Sequence, residues 1–182
     1  MKKYILLLLV ATFISSCKKE SSTTGISQPD IILDDSKFVK FEKDNYSIQY
    51  PKDWLIEKEF GQDVAFYIYL NVDKEEAEIG SNINLMVQDV SKEMTLEEYT
   101  RISLKDISRQ GSVISSEKFV TPSKEYQRVV CTMRMYNEDL KFVQHYIVKN
   151  SKVYVLTFTA MERNYNRFES IAEQVMQSFM IK

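Results

Sequence analysis

Beyond Phe38 the chain is dominated by runs in which apolar and polar residues alternate at every second position, and that rhythm predicts short strands. The runs are Phe38–Phe41, Tyr46–Tyr50, Trp54–Glu57, Val64–Leu70, Ser81–Val90, Ser112–Val120, Glu125–Tyr136, Leu140–Val148 and Val153–Ala160. Short connections at Asn137-Glu138-Asp139 and Asn150-Ser151 predict hairpins, since Asn and Asp tolerate turn dihedrals. Strands 125–136, 140–148 and 153–160 are therefore expected as an antiparallel meander. Connections this short cannot make the crossover that parallel pairing requires.

Two stretches change to helical spacing. Thr95, with Glu98 three residues on, forms a capping box, and Gly111 supplies a stop after Gln110. Leu96, Tyr99, Ser103 and Ile107 then share one helix face, with Leu104 at its flank. A second helix is expected from about Asn164 to Gln177, where Tyr165, Phe168, Ile171, Ala172, Val175 and Phe179 form a single apolar stripe. Both stripes read as core-facing. The strand faces Tyr154-Leu156-Phe158-Ala160 and Val129-Cys131-Met133-Met135 are the natural surfaces to receive them.

The first seventeen residues follow neither period. Lys2 and Lys3 precede an apolar run from Tyr4 to Ile14, and Ile14-Ser15-Ser16-Cys17 brings small residues to the edge of an abrupt polar change. The run is shorter than the roughly 20 apolar residues that cross a bilayer core. It resembles the signal and lipobox of bacterial lipoproteins. That resemblance implies removal of residues 1–16, a diacylglycerol thioether on Cys17 and an acylated new N-terminus. A buried methylene contributes about 0.8 kcal/mol, so two or three acyl chains hold firmly where one binds reversibly. Lys18 is not the Asp that retains many lipoproteins at the inner membrane, which favours the outer one. Residues 17–36 read as the lipidated N-terminus and a flexible tether, with a span of about 25 Å if unstructured. Ile31-Ile32-Leu33 is its apolar exception, suited to docking on the domain or to a short edge strand. Residues 37–182 form the globular domain.

Composition narrows the function. Removing residues 1–16 of the 182 leaves 166, with 22 basic and 26 acidic residues and a net charge of −4. A length of this order suits one domain and a real core. The mildly acidic balance argues against nucleic acid and against a polybasic grip on anionic lipid. With Cys17 lipidated, Cys131 has no disulfide partner and reads as a buried structural thiol.

The segment Tyr46-Ser47-Ile48-Gln49-Tyr50-Pro51-Lys52-Asp53-Trp54 resembles the opening strand and turn of PsbP-like domains. Asn82-Ile83-Asn84-Leu85-Met86-Val87, Thr95-Leu96-Glu97-Glu98-Tyr99, Lys152-Val153-Tyr154-Val155-Leu156-Thr157 and Phe168 through Phe179 follow in the matching order. The similarity spans about Phe38 to Ile181. It implies an α+β fold, an antiparallel β-sheet with helices packed on its faces as an α-β-α sandwich. The Tyr50-Pro51 step has its own local reason, because Pro keeps the preceding residue extended and ends a strand. Most characterised proteins of this kind share docking on a larger partner rather than catalysis, and the resemblance implies the same here.

Candidate chemistry is sparse. His145 is the only histidine, and with Cys131 it offers two ligands where a structural zinc needs four. The two fall on neighbouring predicted strands, so a Cys131–His145 nucleophile pair competes with the plainer reading of His145 as a hydrogen-bonded strand residue. Asp34-Asp35, Glu75-Glu76, Glu97-Glu98 and Glu138-Asp139 read as solvated loop or helix-start acids. Tyr67, Tyr69, Tyr136 and Tyr146 are candidates for an aromatic patch taking a glycan or peptide, against ordinary service in a two-faced sheet. Four glycines and no phosphate-loop or nucleophile-elbow motif leave no cofactor expected. The reading is a non-enzymatic, membrane-anchored envelope lipoprotein with a protein partner, acting as an accessory or assembly factor. A small-ligand or glycan binder is the alternative, and no metal, cofactor or catalytic residue is assigned.

Overall fold

The computed structural model describes residues 25–43, 45–60, 64–70, 81–135 and 137–182. The signal segment, Cys17, Glu75-Glu76 and Tyr136 lie outside the described residues. The strands are β1 (Ile26–Ser27), β2 (Phe38–Lys43), β3 (Tyr46–Pro51), β4 (Leu55–Phe60), β5 (Val64–Tyr69), β6 (Asn82–Asp89), β7 (Gly111–Val120), β8 (Glu125–Met135), β9 (Glu138–Lys149), β10 (Lys152–Met161) and β11 (Met180–Ile181). The helices are α1 (Leu96–Gln110) and α2 (Glu162–Gln177).

Eight strands form one sheet in the order β1-β7-β8-β9-β10-β6-β5-β4, and β11-β3-β2 form a smaller one. The central meander β8-β9-β10 is antiparallel, as its hairpin connections demand. Its long ladders set the side-chain parity of the large sheet. Val130, Val143, Ile147, Tyr154, Leu156 and Phe158 face α2 and the small sheet in one core. Val129, Cys131, Tyr146, Val153 and Val155 face α1 in a second core on the opposite side. Each helix therefore lands on the surface its apolar stripe calls for, with Leu96 and Ile107 of α1 and Phe168, Ala172 and Val175 of α2 buried. Three rings close the junction of the two sheets: Phe179 lies 5.7 Å from Tyr46 and 6.0 Å from Tyr154, centroid to centroid.

Four expectations change in detail. The sheet is not wholly antiparallel, because β1 pairs parallel with the end of β7, Ile26 opposite Phe119. β1 falls inside the segment read as tether, and residues 25–36 lie along the domain. Leu33 is buried, Ile31 packs on the main core, and Ile32 points to solvent at 95% exposure. Glu138 and Asp139 belong to β9 rather than to a loop. Met135 pairs with Glu138 and Arg134 with Asp139, and Asn137 takes a φ of 65° between the two strands. Helix α2 starts at Glu162, two residues early, because β10 runs into it at Met161 without a side-chain cap.

The N-cap half of the capping box is as expected, with Thr95 Oγ1 accepting from the Glu98 N–H at 3.1 Å, while the Glu98 carboxylate accepts from Arg101 instead of reaching back to the cap. Gly111, in contrast, ends the helix in extended backbone and at once begins β7. Glycine is required by crowding: a Cβ there would meet the Thr132 carbonyl oxygen at 2.1 Å and Met133 Cγ at 2.6 Å.

Asn150 and Ser151, both with positive φ (54° and 57°), close the β9–β10 hairpin between Lys149 and Lys152 as a primed turn. Asn accepts this region readily and Ser does not. Replacing Ser151→Gly should stabilise the fold by about 1 kcal/mol. Urea denaturation checks this; an unchanged or lower midpoint would contradict the turn assignment.

Candidate functional site

Strand alternation places Tyr126, Arg128 and Val130 of β8 on the α2 face, and the register sets Arg128 opposite His145 of β9. A charged residue thus occupies a parity position where its neighbours are apolar. Helix α2 answers it with Glu173, one position beyond the buried Ala172. Arg128 Nε donates to Glu173 Oε2 at 3.1 Å, and His145 Nε2 lies 3.2 Å from Glu173 Oε1. Gln177 Nε2 donates to the same Oε1 at 3.3 Å. The His145 ring is 1% exposed and tilts against Tyr126 with centroids 4.4 Å apart. Its Nε2, although close to the carboxylate, is off the line of a good hydrogen bond.

The electrostatics follow from burial. Desolvation pulls the His145 pKa down, more than Glu173 raises it, so the imidazole is neutral at pH 7. Burial alone would raise the Glu173 carboxyl, but His145 and Arg128 outweigh it and hold it at about 2. Below the cluster, Lys124 Nζ donates to the Gln177 and Phe179 carbonyl oxygens, each at 2.5 Å, at the C-terminal end of α2. A cation there satisfies orphan carbonyls and opposes the helix dipole. Burial lowers its pKa to about 8. The N-terminal segment joins the same neighbourhood: Gln28 Nε2 donates to Tyr126 Oη, and Ser123 Oγ donates to Asp30 Oδ1 at 2.5 Å.

Beside this cluster an open groove of about 350 Å³ runs along the polar flank of α2, lined by Arg128 and by Asn166, Glu169, Ser170 and Gln174 among others. The groove holds amides, a hydroxyl and both signs of charge. It can hydrogen-bond a partner surface.

Cys131 and His145 are not brought together. Cys131 lies under α1 and His145 under α2, on opposite faces of the sheet, and burial pushes the Cys131 thiol up to about 11. Among the described residues no group of three or more His, Cys, Asp or Glu is placed to hold a metal ion. The tyrosine set also divides. Tyr67 and Tyr69 stack with centroids 5.8 Å apart, whereas Tyr146 is buried edge-on against Tyr99. The acidic pairs at 97–98 and 138–139 are used in ion pairs with Lys118, Arg101, Arg163 and Arg134. Arg128, Glu173 and Lys124 are not legible as a group in the sequence, since their partnership links residues up to 55 positions apart. The one available signal is an arginine at an inward strand position.

A mixed α+β domain with one large sheet and two helices is the class this architecture defines. The PsbP family profile matches residues 36–181, and the chain belongs to that family. Cyanobacterial PsbP (CyanoP) from Synechocystis sp. PCC 6803 superposes with a TM-score of 0.62 at 15% identity, over 80% of this chain and 93% of that one. LpqN of Mycobacterium tuberculosis, described as involved in cell envelope biogenesis, superposes at 0.63 with 9% identity, over 80% and 91%. A Pseudomonas aeruginosa protein of unknown function, PA94, superposes at 0.58 with 12% identity, over 78% and 94%. No curated protein sequence matches.

The buried pair makes a pH prediction. His145 has a folded pKa below its unfolded value near 6.5, so the unfolded chain takes up the proton first as pH falls. Stability is full above about pH 6.5 and declines below it, by up to about 1.4 kcal/mol per pH unit. Glu173, also depressed, adds a second loss from pH 4.5 towards 2. Because His145 is the only histidine, urea midpoints between pH 7 and 5 should slope downwards in the parent and flatten in His145→Gln. Equal slopes in the two proteins would refute the assignment.

Proposed function

We propose that this chain is a lipid-anchored lipoprotein of the bacterial cell envelope that acts without catalysis, as an accessory or assembly factor docked on a protein partner. The observation that carries the reading is the occupation of its reactive groups. The histidine is buried against Glu173, Glu173 also binds Arg128, and the described cysteine is a buried, protonated thiol. Family membership and the likeness to LpqN, an envelope-biogenesis protein, support a place in the envelope. The lipobox at Ile14-Ser15-Ser16-Cys17 supports the anchor, and Lys18 favours the outer membrane. The open polar groove beside α2 suits a protein surface better than a small molecule, which is usually enclosed by apolar walls.

Two experiments test this. Cys17→Ala should leave an unprocessed or soluble protein; a variant still cleaved and still sedimenting with membranes in high salt would exclude the anchor. A photo-crosslinker at Gln174, on the groove wall, should capture one envelope protein in stoichiometric yield in cells, while one at Ile32 should not. Equal or diffuse crosslinking from both positions would count against a docked partner.

A further inference from the structure

Among the described residues, α1 covers only part of its side of the large sheet. α1 packs over Val129, Cys131, Tyr146, Val153 and Val155, and towards β4 the same face changes character. There the registers align two rows across the strands. Tyr67 of β5 is opposite Asn84 of β6, Asn84 is opposite Thr157 of β10, and Thr157 is opposite Gln144 of β9. One step along, Tyr69 is opposite Asn82 and Asn82 opposite Thr159. We propose that this face is a binding platform for a neutral, extended glycan, lying across the strands.

The chemistry of the rows selects that occupant. Their side chains are amides, hydroxyls and tyrosine rings, and among the described residues the charge paired with them is the Glu57 carboxylate, at the outer margin opposite Tyr67. A phosphate or nucleic acid finds no cation in these rows, and a lipid finds no continuous apolar surface. A peptide strand would find the backbone groups already committed between strands, and this is a face, not an edge. Sugar hydroxyls both donate and accept, which matches Asn and Gln amides that do the same. The amides are preorganised: Gln144 Nε2 donates to Thr157 Oγ1 at 3.3 Å, Tyr146 Oη donates to Gln144 Oε1 at 2.5 Å, and Asn84 Nδ2 donates to Asn82 Oδ1 at 3.2 Å. The Asn84 and Gln144 amides have capacity for a further bond, since an amide nitrogen carries two hydrogens and its oxygen two lone pairs. Tyr67 and Tyr69, with rings 12° from parallel, add flat apolar surface of the kind that receives the C–H face of a pyranose. Strands lie about 4.8 Å apart, so the row from Tyr67 to Gln144 spans about 14 Å, the footprint of an oligosaccharide rather than one sugar, with Thr157 buried within it as the support that orients Gln144. The platform is on the opposite face from the groove beside α2, so the two recognitions do not compete.

Calorimetric titration of the full chain in detergent with cellohexaose and with N-acetylchitohexaose tests the proposal. Saturable binding of at least one is expected, weakened about tenfold or more by Asn84→Ala and by Tyr69→Ala, and unchanged by Ile32→Ala at an exposed site outside both surfaces. Thr159→Val, which keeps volume and removes a hydroxyl, should weaken binding while keeping the melting temperature close to the parent's; it serves if the larger truncations misfold. Absence of binding to both sugars overturns the proposal. So does undiminished affinity in folded Asn84, Tyr69 or Thr159 variants, or a crosslinker at position 69 that captures protein in cells.

Discussion

The structure depends on the register of β8, β9 and β10. Side chains along a strand alternate strictly, so the pairing of Arg128 with His145 and of Cys131 with Phe142 decides which residues lie under α2 and which under α1. A slip of one residue would turn Cys131 into the α2 core and Arg128 towards α1, away from Glu173. The primed turn at Asn150-Ser151 holds one end of this register, and Asn137, also at positive φ, holds the other.

Within that frame the buried ion cluster fixes where α2 sits along the sheet. Its apolar stripe would tolerate small translations, since burial is proportional to area and largely non-directional. The Arg128–Glu173 pair does not tolerate them, because hydrogen bonds to ions lose energy steeply with distance and angle. Lys124 acts at the same helix's end by binding the carbonyls of Gln177 and Phe179. A buried ion pair is weak evidence for net stability but good evidence for a specified arrangement, and the cluster is best understood that way.

Much of the architecture is legible in the sequence because local signals agree. Thr95 and Glu98 start α1, the strand runs are correct to within a few residues, and both apolar stripes meet the faces expected of them. The motif from Tyr46 to Trp54 points by its residues alone to the PsbP family, whose profile covers it. Less is legible where the partner is remote. Ile26 and Ser27 form a strand only because the end of β7 offers an edge, and Asp139 is in β9 because the Arg134 ladder continues past the turn. Gly111 reads as a helix stop by sequence, yet its necessity comes from Thr132 and Met133, more than twenty residues later.

By itself the sequence determined the elements, the antiparallel meander, the core faces and the lipobox expectation, since each rests on spacing within a few residues. Only the tertiary structure decided that Cys131 and His145 lie on opposite sides of the sheet, that Glu173 bridges Arg128 and His145, and that Tyr67 stacks on Tyr69 apart from Tyr146. Those facts depend on register and helix placement. Both are set by the sum of many packing contacts between distant segments, which no short window of residues contains.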